Sequence, residues 1–247
     1  MNLRRFLVTA LLVVAGICQL RADDFTASFD QANKLYEEGK FRDAAVAYEK
    51  IAVTGARSPA LLFNLGNAYF KAGQMGEAIA AYRAAEMLAP RDPDLRANLQ
   101  FARARVSGAT LKPSWLHRAA DALTLNEWTL LGLLPAWAWF ALLIARQLKP
   151  ALKLKLRGIT LAAGFVTVLG ITTLGLIASQ HWNEHTAIVT ARNTVVRYGP
   201  LIESSEAFTA NDGAELRVLD AKNEWLQVTD DAKFTGWLRT NSVRVLN

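Results

Sequence analysis

Cysteine is nearly absent from this 247-residue chain, since the only one, Cys18, lies within the first 22 residues. Beyond that point the sequence offers no disulfide, no thiol nucleophile and no thiolate metal ligand, which excludes disulfide-stapled secreted domains and thiol enzymes. Glycine-rich phosphate loops and calcium-binding EF-hand loops are missing as well. The sequence therefore lacks these common motifs of nucleotide binding and of calcium binding.

Basic residues exceed acidic ones, 28 against 22, but the excess is unevenly distributed. Residues 1–22 hold three arginines and no acid, and residues 146–157 hold five basic residues and no acid, whereas residues 23–106 hold eleven of each sign. A nucleic-acid-binding protein spreads its basic residues over a folded surface. Charge confined to a leader and one short loop is typical of membrane topology instead, so we expect no nucleic-acid partner.

The first 22 residues have the layout of a secretory signal. Arg4 and Arg5 precede the apolar run 6–17, and a polar stretch then ends at Ala22. The apolar run is too short to cross a bilayer comfortably. We predict a signal peptide over residues 1–22, with an uncleaved anchor as the alternative, and either one leaves the next domain outside the cytoplasm.

Two uncharged apolar stretches, 128–145 and 158–179, are long enough to cross a membrane as helices. The loop between them, 146–157, is basic, and short basic loops remain cytoplasmic. Its charged residues are Arg146, Lys149, Lys153, Lys155 and Arg157. The sequence therefore predicts two spans in the lipid bilayer of a bacterial inner membrane, with both flanking parts periplasmic. In the linker 107–127, an apolar helical face predicts a helix lying at the membrane surface.

Residues 23–106 contain a repeat with a period of 34 residues. The matched pairs are Gly39 and Gly73, Ala44 and Ala78, and Tyr48 and Tyr82. The second copy resembles the tetratricopeptide repeat family at Leu62, Asn64, Leu65, Gly66, Tyr69, Gly73, Ala78, Tyr82, Ala85 and Pro90. This resemblance implies two helical-hairpin repeats, and the segment 92–106 is predicted to follow them as a capping helix.

The same resemblance implies a concave groove, lined by the first helix of each repeat, that binds segments of other proteins. The expected groove residues are Phe29, Asn33, Tyr36, Glu37, Phe63, Asn67, Phe70 and Lys71. The two asparagines would hydrogen-bond a peptide backbone while the aromatic rings contact its apolar groups. In the alternative interpretation, these rings pack against residues 92–106 or against a neighbouring molecule. Two repeats are fewer than the three expected for independent stability, which predicts dimerisation or docking onto a partner.

Residues 180–247 consist of short alternating segments separated by turn sequences. Six strands are predicted, at 187–191, 194–198, 214–219, 225–228, 236–239 and 243–246. So many short strands predict a small β-barrel. The segments 193–200 and 213–219 and the pair Gly236-Trp237 resemble bacterial SH3-like domains, which implies binding of peptides or of peptidoglycan. The expected ligand face comprises Tyr198, Trp225 and Trp237, although in a barrel this small the two tryptophans are alternatively core residues.

The segment from His181 to His185 matches the H-x-x-E-H motif of inverted zinc peptidases, in which the two histidines hold zinc and Glu184 is the base. Such a site needs a buried helix and a third ligand from a substantial domain. Here the motif connects a predicted span to a predicted barrel. We therefore expect no enzyme activity, no metal and no cofactor, and we interpret the motif as a polar interface anchor together with Trp182.

The order of these parts resembles the tetratricopeptide membrane proteins of bacterial aerotolerance operons, with a multi-domain architecture of α-helical repeats, membrane helices and a β-domain. That resemblance implies partners: membrane proteins with von Willebrand A-type domains and, indirectly, a MoxR-type ATPase. The chain would then be a non-enzymatic scaffold. The alternative is a cell-wall sensor whose barrel binds peptidoglycan, but the loop 146–157 leaves little room for signalling machinery, which favours the scaffold.

Overall fold

A computed structural model of the protein describes residues 25–55, 57–106, 120, 122–183, 185–230 and 234–246, with the side chains of residues 125 and 180–183 left undescribed. The predicted signal peptide and most of the predicted interfacial helix lie outside the described residues. So do the side chains of the H-x-x-E-H motif from His181 to Glu184.

Five helices form the N-terminal part: α1 (residues 25–37), α2 (Phe41–Val53), α3 (Pro59–Lys71), α4 (Met75–Leu88) and α5 (Pro93–Ala104). Gly39 and Gly73 supply the left-handed backbone of the two interhelical turns, with φ of +76° and +79°. The Ser58 side chain caps α3 by accepting a hydrogen bond from the Leu61 amide at 3.1 Å. The two predicted helical hairpins are therefore present.

The 34-residue period continues into α5. This helix resembles α3 both in its first turn and in the residues that it buries. Pro59 and Pro93 each stand in the first turn of their helix. The buried pairs are Leu61 and Leu95, Leu65 and Leu99, and Ala68 and Ala102. The predicted capping helix is thus the first helix of a third, incomplete repeat.

Two long helices follow, α6 (Leu125–Leu148) and α7 (Arg157–Asn183), joined by the basic loop and one 3₁₀ turn at Pro150–Leu152. They pack on each other as a hairpin. At the crossing, a Cβ added to Gly132 would lie 3.3 Å from the Leu174 side chain and 3.5 Å from the Gly170 carbonyl oxygen, so small residues allow close approach. Both helices extend beyond the predicted spans, and the stretches Asn126–Leu148 and Arg157–Ser179 are long and apolar enough to cross a membrane.

Seven strands form one antiparallel sheet in the order β3-β2-β6-β5-β4-β1-β7. They are β1 (Thr186–Val189), β2 (Thr194–Arg197), β3 (Glu206–Ala210), β4 (Glu215–Lys222), β5 (Trp225–Thr229), β6 (Thr235–Arg239) and β7 (Val243–Leu246). The six predicted strands are found, whereas β3 was missed because its sequence is weak in strand-forming residues.

The predicted closed barrel is not what these strands form. Side chains from all seven strands share one core, so the sheet is curled, yet in the described residues its edge strands β3 and β7 do not pair with each other. Helix α4 packs against β1 and the edge strand β7. A helix therefore covers the β7 edge of the sheet, where a closed barrel would have another strand.

The sheet is docked on the helical repeats through apolar contacts. Ile188 of β1 is fully buried within the core of the repeats, and Leu246 of β7 and Val106 pack against the same core. A Cβ added to Gly213 would lie within 3.0 Å of both Val106 and Ile79. The sheet therefore completes the core that two and a half repeats leave open.

Polar contacts fix the orientation of this docking. The Arg103 guanidinium donates two hydrogen bonds, of 2.5 and 2.8 Å, to the fully buried carboxylate of Glu215. Helix α4 has no capping side chain of its own, and Asp212 from the sheet takes that place by accepting from the Gly76 amide at 3.0 Å. Arg244 of β7 donates hydrogen bonds to Glu49 of α2 and to Glu77 of α4, and so connects the sheet to two helices.

Candidate protein-binding groove

The groove predicted from the repeats lies on the first helices, α1 and α3, and continues on α5. Six of the predicted groove residues are half-buried: Phe29, Asn33, Tyr36, Phe63, Asn67 and Phe70. Lys71 and Glu37 are exposed. The sheet packs instead on α4, the second helix of its repeat. The predicted groove residues therefore remain accessible while the opposite side of the repeats is occupied.

The two groove asparagines hold the repeats together. The Oδ1 atom of Asn33 accepts a hydrogen bond from the Tyr48 hydroxyl at 2.6 Å and one from Asn64 at 3.3 Å. The Oδ1 atom of Asn67 has the equivalent donors, Tyr82 at 2.7 Å and Asn98 at 3.0 Å, each 34 residues further along the chain. Because each oxygen already accepts two hydrogen bonds, any hydrogen bond to a peptide would be donated by the amide nitrogens.

The aromatic residues of the groove are packed in pairs. Phe29 stacks on Phe25 with 5.9 Å between ring centroids, and Tyr36 meets Phe41 edge to face at 5.2 Å. Phe63 lies 6.0 Å from the buried ring of Tyr82. These rings are half-exposed, and contacts with neighbouring rings hold them in place. They therefore form an apolar lining whose side chains lose little conformational entropy when a ligand binds.

Helix α5 adds two groove residues that the sequence interpretation missed. Phe101 and Arg105 follow Asn67 and Lys71 by 34 residues, which is the signal that could have found them. The Phe101 ring is 51% exposed and lies 5.5 Å from Phe70. The Arg105 guanidinium stands 4.7 Å from the centre of the Phe101 ring and 5.9 Å from that of Phe70, as in cation–π pairs. This end of the groove is aromatic and cationic.

Three buried tyrosines of the repeats carry phenol groups whose neutral form the fold favours. Burial raises the pKa of Tyr48 from 10.0 to about 12. Burial also raises the pKa of Tyr69 and of Tyr82, and for Tyr69 a hydrogen bond with Glu49 adds to the effect. The folded repeats therefore keep protons that the unfolded chain releases above pH 10.

We expect the repeats to lose stability steeply above pH 10, because the unfolded chain then binds fewer protons than the folded one. The stabilising effect is complete below pH 10 and is lost as pH rises toward the folded pKa of about 12 for Tyr48. Each tyrosine should contribute about 1.4 kcal/mol per pH unit to this loss. Denaturant unfolding followed by circular dichroism at a series of pH values measures it, and an unfolding free energy that stays level up to pH 12 would contradict it.

On the sheet, two of the predicted ligand-face residues, Trp225 and Trp237, lie on the paired strands β5 and β6. Trp225 and Trp237 are half-buried, and they alternate along β5 and β6 with the buried Leu226, Val228 and Leu238. Both tryptophans consequently lie on the side of the sheet opposite its core, which argues against the alternative of core residues. Tyr198 is 70% exposed in the turn after β2.

A shallow cleft of about 390 Å³ on the sheet includes only one of these three aromatic residues, Trp225. Three arginines line the cleft with it, namely Arg192, Arg197 and Arg239. The Arg239 guanidinium lies 5.6 Å from the centre of the Trp225 ring. The cleft suits an anionic ligand better than an apolar one. Among the described residues no three metal-ligating side chains come together.

The comparison with known protein families concerns the helical repeats. Residues 29–94 match the tetratricopeptide repeat family, and this range runs from within α1 to the start of α5. No curated protein matches the chain significantly. The repeating helices and the family match agree, so the N-terminal part of this chain consists of tetratricopeptide repeats, a structure that generally mediates protein–protein interactions.

Proposed function

We propose that the chain is a non-enzymatic, membrane-anchored scaffold that binds segments of other proteins in the groove of its repeats. The observation that carries this proposal is the docking of the sheet on α4, together with the burial of Ile188 in the repeat core. The core of the repeats is completed from within the chain, while the groove residues on α1, α3 and α5 stay accessible. Binding a partner therefore does not compete with the contacts that hold the fold.

Membrane insertion of α6 and α7 is supported by their surfaces. Large apolar side chains such as Trp137, Phe140 and Phe165 are more than 60% exposed. Only 6% of each apolar stretch is buried within the protein. Side chains of this kind need lipid or another protein around them.

The docking and the charges support the proposed orientation. Because the repeats and the sheet contact each other, both lie on the same side of any bilayer that the hairpin crosses. The basic loop lies at the other end of the hairpin, and positive short loops remain cytoplasmic, so the repeats and the sheet would be periplasmic. In this arrangement Arg91 of the repeats pairs with Glu127 in the first turn of α6, which ties the repeats to the membrane helix.

The finer parts of the proposal concern the partners and the sheet. The partners would be membrane proteins with von Willebrand A-type domains, and through them a MoxR-type ATPase, in an aerotolerance-related complex of the inner membrane. The sheet would act as an SH3-like unit whose docking orients the repeats. A role as a peptidoglycan sensor would instead require the sheet to be the principal binding surface.

Site-specific photo-cross-linking in intact cells tests the groove. A photoreactive residue replaces the exposed Glu37 or Lys71 in the groove, and a matched control replaces the exposed Lys50 on α2. These positions avoid the asparagines, whose loss would weaken the fold itself. We expect adducts with specific membrane proteins from positions 37 and 71 and none of these from position 50. Equal labelling from all three, or adducts with wall fragments alone, would refute the scaffold.

A further inference from the structure

Two clefts at the junction of repeats and sheet share residues. The first is the arginine-lined cleft on the sheet, and the second, of about 300 Å³, lies between the end of the repeats and the sheet. Arg192 and Asn193 line both clefts, and Arg105 lines the second. Since Arg105 also stands over the Phe101 ring, the second cleft adjoins the cationic end of the groove. Groove and clefts therefore form one continuous surface path.

This path is strongly cationic. Arg105, Arg192, Arg197 and Arg239 line the clefts, and Lys71 is an exposed residue of the groove. The one acid lining either cleft is Asp212, which accepts a hydrogen bond at the start of α4. Within the part of the chain that the structure describes, none of the four arginines forms an ion pair within 4.0 Å. The net charge of the surrounding repeats is zero over residues 23–106, so the charge along the path is a local feature. Arg192 interacts electrostatically with the Asp212 carboxylate but is not in an ion pair with it. Guanidinium groups outside an ion pair are suited to bind carboxylates of a ligand.

Aromatic rings stand at both ends of the path. Phe70 and Phe101 lie at the groove end, and Trp225 lies at the sheet end, each with a guanidinium within 6 Å of its ring centroid. The two clefts are near the lower size limit for small-ligand pockets, and both are open. An extended chain that passes over both fits this shape better than a compact molecule does.

We propose that the repeats and the sheet jointly bind one extended, acidic protein segment with apolar or aromatic side chains at intervals, which runs from the Phe70–Phe101–Arg105 end of the groove across Arg192 to Trp225 and Arg239. This inference rests on the proposed function and specifies its ligand. The docking of the sheet then contributes to binding as well as to stability, because it holds the sheet part of the path at a fixed position relative to the groove.

Peptide binding to the full chain in detergent micelles tests this path, measured by fluorescence anisotropy. The probe is a labelled peptide of alternating Glu and Phe, compared with Gln–Phe and Glu–Ser peptides of equal length. We expect the Glu–Phe peptide to bind most tightly, at one peptide per chain, and to weaken steeply with added salt. The variants Arg105→Gln, Arg192→Gln and Arg239→Gln should each weaken it about threefold to tenfold.

Arg217→Gln is the matched control, because it removes the same charge from an exposed position on β4 outside both clefts. Circular dichroism checks that all variants fold. The proposal is overturned if Arg192→Gln behaves like the control, if two peptides bind per chain, or if a single-stranded oligonucleotide of equal charge binds as tightly as the peptide. Cross-linking from positions 37 and 71 would still succeed in each of those cases, so the proposed function is tested separately.

Discussion

Replacing Gly76 with alanine should detach the sheet from the repeats while strengthening the helix in which it lies. In the docked structure the added Cβ would lie 2.1 Å from the carbonyl oxygen of Val189 and 2.9 Å from the Cα of Thr190. Both are backbone atoms, so no change of rotamer relieves the contact. Overpacking of this kind typically costs about 1–3 kcal/mol. Within α4 alone, however, alanine is favoured over glycine by about 1 kcal/mol.

These opposite effects make the result diagnostic. Hydrogen exchange of the full chain should become faster at the amides of β1 and at Gly213, which donates to the Val189 oxygen at 2.7 Å. The amides in the middle of α4 should stay protected. Gly158→Ala is the control, since it is also a helical glycine but has nothing within 4 Å of its added Cβ. Unchanged exchange in β1 would show that the docked arrangement is not the stable one.

Replacing Glu215 with glutamine should cost about 3 kcal/mol of docking stability, because it leaves the Arg103 guanidinium without its charged partner in a buried interface. Glu215 is fully buried, and Arg83, which pairs with Glu86 at 2.7 Å, also lies 3.8 Å from the Glu215 carboxylate. Limited proteolysis of the full chain and thermal unfolding both report the loss. Glu224→Gln, an exposed carboxylate on the same sheet, is the control.

A double variant distinguishes the contribution of the two charges from that of side-chain packing at the same position. Replacing Arg103 with methionine and Glu215 with leucine removes both partners and fills the space with apolar groups, which is often neutral or even stabilising for buried pairs. We expect this variant to regain much of the stability that Glu215→Gln loses. If both variants were equally unstable, the contact would depend on the shape of these side chains and not on their charges.

Some of the site was readable in the sequence because repeats place equivalent residues at equal spacing. Gly39, Gly73, Tyr48 and Tyr82 indicated the two helical hairpins, and the same spacing placed Asn33 and Asn67 in the groove. The half-repeat in α5 was readable too, through Pro93, Leu95 and Leu99, but its groove residues Phe101 and Arg105 were missed because the capping interpretation was not extended by one more period. The β3 strand was missed because Glu206 and two alanines carry little strand signal.

The contacts between the repeats and the sheet could not be read in this way. Arg103 and Glu215 are 112 residues apart, and Arg244 and Glu49 are 195 apart, with two long apolar helices between them. In a single sequence, a buried Glu or Arg looks the same as an exposed one, since only its surroundings distinguish them. The role of Gly76 likewise depends on a carbonyl group that lies more than 100 residues further along the chain.

Local periodicity in the sequence by itself determined the repeats, the two apolar helices and most of the strands, because each depends on side chains within a few turns or on the alternation of one strand. Only the tertiary structure decided that the sheet stays open and packs on α4, that Ile188 completes the core of the repeats, and that Arg105 lines a cleft together with residues of the sheet. The physical reason is that docking depends on complementary shape and paired charge between distant segments, and a local pattern carries no information about which surfaces will meet.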